Sequence, residues 1–139
     1  MSEAPESRHV LRSLGAVLAG VISIVVVSLA TDVVLHATGI YPPWFQPMAD
    51  PLWVLALAYR LVYNTAGCYL AARLAPSKPM AHALIVGLVG LISSIVGVAM
   101  HWNAGPEFGP KWFAIALVLS AMPCAWLGGL LRVRQLPQS

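Results

Sequence analysis

Charge is the first thing this sequence is short of. Lys and Arg together number 8 and Asp and Glu 5 in 139 residues, 9% of the chain, against about 25% in an ordinary soluble domain. The net balance of +3 comes from cations standing singly at the ends of apolar runs, which makes no patch for a polyanion and excludes nucleic acid as a partner. Cysteine is nearly absent. Cys68 and Cys124 lie within apolar runs in no ligand spacing, so they define neither a disulfide framework nor a zinc site. The local patterns that carry chemistry are missing too: a GxSxG elbow, HExxH, CxxC, a phosphate-cradling glycine loop, or closely spaced carboxylates. No catalytic residue, cofactor or resident metal is assigned, and the chain reads as non-enzymatic.

What is present is apolar. With 59% hydrophobic residues and a mean hydropathy of +0.79, the composition is that of an integral membrane protein. A chain of this length, mostly committed to spans, has no room for a separate soluble module. The stretch Pro51 to Arg73, PLWVLALAYRLVYNTAGCYLAAR, covers about 33 Å at the helical rise, which matches a hydrocarbon core of about 30 Å. Arg60 stands inside it, roughly 14 Å from one end and about 20 Å from the other. A cation at that depth needs a partner.

In chain order, residues 1–12 are a polar tail. Ser13 to Thr31 then supplies a run without an ionisable side chain, and the first span extends over about 13–36, with Ser28, Asp32 and His36 on one face. Arg8, Arg12 and Ser28-Leu29-Ala30 also fit a cleaved signal peptide, but the apolar run is longer than the usual h-region. Residues 37–50 form a loop in which Tyr41, Trp44 and Phe45 suit an interfacial aromatic belt. Asp50 is expected to cap the second span (51–73), with Pro51 at its first position.

The short turn through Pro76 and Pro79 then reverses the chain into a third span, 80–101. That span carries a small-residue row, Ala83, Gly87, Gly90, Ser94 and Gly97, which is expected to serve as a helix-packing seam. A second loop with Glu107 leads to a fourth span, 111–131. Pro123 lies inside that span and is expected to kink it unless neighbours satisfy the freed carbonyl. Ala116, Ser120, Cys124 and Gly128 recur every four residues along it. Residues 133–139 are a tail.

The expected fold is all-α, an integral membrane four-helix bundle, antiparallel and up-down. Arg8, Arg12, Arg73, Lys78, Arg132 and Arg134 would share one side, which the positive-inside rule makes cytoplasmic, with both termini there. A bacterial inner membrane is the expected location.

The candidate intramembrane polar site combines Asp32, Arg60, Tyr63, Asn64, His36 and His101. It has three readings: an ion pair that fixes helix register, a site for a small solute, ion or proton relay, or a metal site drawn from Asp32, His36, His101 and Glu107. His82, near the inner end of the third span, reads as interfacial. The function expected is that of a helix-packing, accessory or self-assembling membrane component. Its partners would be the lipid bilayer and a homo-oligomer or larger membrane complex. The alternative is a small transporter or channel subunit that uses an outward-facing pocket around Asp32 and Arg60.

Overall fold

The computed structural model describes residues 3–137 and contains four α-helices, with no strand among the described residues. These are α1 (Glu3–Ala37), α2 (Asp50–Leu74), α3 (Pro79–His101) and α4 (Lys111–Gln135), with a short 3-10 turn, Pro106–Phe108, ahead of α4. Three of them are long and apolar enough to cross a membrane: α1, α3, and α4 taken with the turn before it. α2 is as long as α4 but is diluted by Tyr59, Arg60, Tyr63 and Asn64.

The helix ends follow from local chemistry. α1 starts well before the first apolar run, because Pro5 falls in the first turn, where a missing N–H costs nothing, and no further proline follows within the helix. Asp50 is not the cap of α2. It is the first helical residue, the cap position is Ala49, and no side chain closes a capping bond there. Pro51 needs no such bond, since proline brings no donor to the first turn. In the turn from α2 to α3, Lys78 takes a left-handed conformation at φ 46°. Pro123 lies within α4 without interrupting it.

The packing inverts the usual order of sizes. Cys68, Ala71 and Ala72 of α2, Ala83 and Val86 of α3 and Ala125 of α4 make a core cluster of small residues, while Leu18, Ile22 and Val26 on α1, Ile92 and Val96 on α3 and Leu119 on α4 point outward. Large apolar side chains outside and alanine or glycine inside is how helices associate in lipid, where close backbone approach replaces hydrophobic drive. α2 and α3 each touch all three other helices, and α1 packs on those two.

Two crossings depend on bare backbone. A Cβ on Gly20 of α1 would lie 2.8 Å from the Gly67 carbonyl of α2, and one on Gly128 of α4 would lie 2.8 Å from the Tyr69 amide nitrogen. A second, more aromatic cluster of Tyr41, Ala56 and Phe113 packs with Trp53, Leu57 and Tyr59 near the loops.

The small-residue row of α3 divides in two. Ala83 is fully buried, and a Cβ on Gly87 would meet Ala125 and the Ala121 carbonyl of α4. A Cβ added at Gly90 or Gly97 would have nothing within 4 Å, so the seam closes over its first half only. The corresponding row on α4 closes against α2, where Cys124 donates a weak bond to the Leu61 carbonyl at 3.7 Å.

Candidate intramembrane polar site

Asp32 on α1 and Arg60 on α2 are ion-paired, with Nη2 of the arginine donating to Oδ2 of the carboxylate across 2.7 Å. The other carboxylate oxygen, Oδ1, accepts a bond from the Tyr59 hydroxyl. Arg60 Nη1 also donates to that hydroxyl oxygen at 3.2 Å, and Tyr41 reaches it from the first loop at 3.2 Å. Four side chains from α1, α2 and the loop thus share one network, in which both oxygens of Asp32 are used.

Local order explains the convergence. Tyr59 and Arg60 are consecutive, so they project about 100° apart around α2 and approach Asp32 from two sides. Aromatic faces flank the cation: the Arg60 guanidinium carbon lies 5.3 Å from the centre of the Tyr59 ring and 5.9 Å from that of Phe113, within reach of cation–π attraction. Among the described residues, no buried side-chain nitrogen or oxygen is left without a hydrogen-bond partner.

The other expected site residues divide between this network and its surroundings. Tyr63 hydrogen-bonds Thr31 at 2.8 Å, a second tie between α2 and α1 one turn along from the ion pair. His36 donates through Nδ1 to the Pro42 carbonyl at 2.7 Å and stacks on Trp44 at a centroid distance of 3.7 Å, so it fastens the loop to the end of α1. His101 donates to the Gly97 carbonyl of its own helix and lies against Phe108, in a cavity between α3 and α4 rather than beside Asp32. Asn64 lines a cavity together with Arg60. No cluster of three metal-ligating side chains occurs among the described residues, so the four-residue metal reading is not assembled.

Burial separates the aromatic residues of the first loop: Tyr41 is 3% exposed and sits under the loop, whereas Phe45 is 83% exposed. Burial pushes the Tyr41 phenol above its usual range, partly countered by its bond to Tyr59. His82, in the first turn of α3, is buried and donates to the Lys78 carbonyl at 3.0 Å, which ties that turn to the one before it. The residue that sequence reasoning missed is Tyr59. The signal for it was its place beside Arg60 and four before Tyr63, which puts two phenols on one helix face.

Arg60 borders two cavities. One, of about 220 Å³, lies toward the loops and is lined by Asp32, His36, Tyr41 and Glu107 among others. The second, of about 270 Å³, lies between α1 and α3 over Asn64 and Cys68. Set against known proteins, the chain matches no family model, no curated protein and no solved structure. Three helices long and apolar enough to cross a membrane are compatible with a helical membrane protein, and its role is argued from the geometry of the site.

Proposed function

We propose that this chain is a four-span, non-enzymatic component of a cell membrane, with antiparallel helices and both termini cytoplasmic, that acts through helix packing as an accessory or self-assembling subunit. In this reading Asp32 and Arg60 are the register lock that sets α1 on α2. The observation that carries it is the engagement of the carboxylate: both oxygens of Asp32 and the Tyr59 hydroxyl are spent on protein partners. A part-buried pair so engaged fixes the orientation of one helix on the other. The packing of α2 supports its being a span as well, since it touches the other three helices and its Arg60 and Tyr63 bond to side chains of α1.

The test compares Arg60→Leu with wild type for assembly and for solute movement per assembled protein. The lock predicts lower yield and altered oligomer distribution with no change in flux. Topology is read separately, with single cysteines placed in a cysteine-free background at Ser77 and Leu136 on the proposed inner side and at Phe45 and Gly105 on the outer side. Labelling of all four by an impermeant reagent from one side would overturn the four-span arrangement.

A second reading, a small solute or ion conduit, is favoured by one observation: Arg60 borders both the loop-side cavity and the one between α1 and α3. It predicts that Arg60→Leu assembles normally and loses flux.

A further inference from the structure

Polar side chains in the spans differ in how they are satisfied. Ser23, Thr31, Thr65 and Ser120 each donate to a carbonyl of their own helix, the usual way a hydroxyl is satisfied in lipid. Ser28, Asn64, Ser93 and Ser94 close no such bond among the described residues, and all four line the 270 Å³ cavity between α1 and α3. Arg60 lines it too, with only two N–H groups bonded to Asp32 and Tyr59, of the five a guanidinium carries. Amide and hydroxyl groups facing a cavity at membrane depth are costly unless something there bonds to them.

The rest of the lining is apolar, including Val21, Ile24 and Leu117. Val25 and Val89 line the cavity while 57% and 38% exposed, which puts its mouth on the outer surface between α1 and α3. We propose that this cavity is a binding site for an uncharged amphiphile, a single apolar chain that ends in a carbonyl or hydroxyl head. The head bonds Asn64, the serines and the spare donors of Arg60, and the chain leaves between Val25 and Val89.

Two features select the head. Arg60 is the only charged side chain in the lining and is already neutralised by Asp32, so a carboxylate or phosphate head would enter a low-dielectric site with no unspent counter-charge. Serine and asparagine both donate and accept, which suits a carbonyl beside a hydroxyl. The volume falls just below the range of about 300–1,000 Å³ that encloses whole small ligands, so it holds a head and the first few carbons, not a complete lipid. The site rests on the four-span reading in one respect, that the mouth faces acyl chains.

The experiment uses the full chain in phosphatidylcholine vesicles with a monoacylglycerol that carries a photoreactive diazirine near its head, read by peptide mass spectrometry. Expected is labelling concentrated on residues 21–28 and 86–94, competed by unlabelled monoacylglycerol and reduced at least fivefold by Asn64→Leu. Gly90→Leu gives a second variant: Gly90 lines the cavity with nothing within 4 Å of an added Cβ, so the new side chain starts into open space. It should reduce labelling to the same extent while melting like wild type.

Labelling spread evenly onto outward residues such as Val62 and Leu119, and unchanged in Gly90→Leu, would mean ordinary lipid contact and overturn the proposal. Stronger labelling by the matching diazirine fatty acid would overturn the uncharged head. Release of the protein from membranes by alkaline carbonate would instead count against the four-span reading itself.

Discussion

Gly20 of α1 and Gly67 of α2 face each other, each close enough that a Cβ on one would meet the carbonyl of the other, at 2.8 Å for Gly20 and 2.9 Å for Gly67. This crossing holds α1 against the bundle about three turns along from the ion pair. Together they place the helix at two points, one by close backbone approach and one by charge.

Gly20→Ala should therefore destabilise the protein by about 1–3 kcal/mol, the usual cost of overpacking against backbone that cannot yield. Gly97→Ala, where space is open, should be neutral or stabilising by up to about 1 kcal/mol through helix propensity. Thermal melts in one detergent, followed by circular dichroism, check the contrast. Equal losses at both positions would count against the crossing.

Removing one member of the ion pair is expected to cost more than removing both. Arg60→Leu strands the Asp32 carboxylate and should cost up to about 3 kcal/mol, whereas Asp32→Leu combined with Arg60→Leu should recover most of that, because apolar replacements of a buried pair are often neutral. The double variant melting below either single one would show that the pair is held by something other than mutual neutralisation.

Tyr59→Phe deletes the hydroxyl shared by Asp32, Arg60 and Tyr41. Its loss should cost about 1.5–3 kcal/mol, as for hydrogen bonds to charged groups. Tyr63→Phe removes one neutral bond to Thr31 and should cost about 0.6 kcal/mol, the average for such bonds between membrane helices. The ranking of the two melting temperatures is the measurement.

Burial holds the Tyr41 phenol above its usual range, which favours the neutral form. A raised folded value means that the unfolded chain ionises first, so the stabilisation is complete below about pH 10, the unfolded value, and fades as pH rises beyond it. Melting temperature recorded from pH 8 to 11 should fall less steeply in Tyr41→Phe than in wild type.

Much of this protein was legible in the sequence. The scarcity of charge and the long apolar runs pointed to long apolar helices of membrane-spanning length, and Pro51 and Pro79 marked helix starts to within a few residues. Arg60 and Asp32 stood out because ionisable groups in lipid are rare enough to notice one at a time.

What tertiary structure decided was rotation. These helices are apolar nearly all round, so their sequences carry little record of which face turns inward, and close packing rather than hydrophobic pattern chooses it. That choice buried Tyr41 and His82 and brought Tyr59 onto Asp32. It also closed the α3 small row at Gly87 and left Gly90 beside a cavity, because α4 supplies Ala125 opposite the first and has no atom within reach of the second.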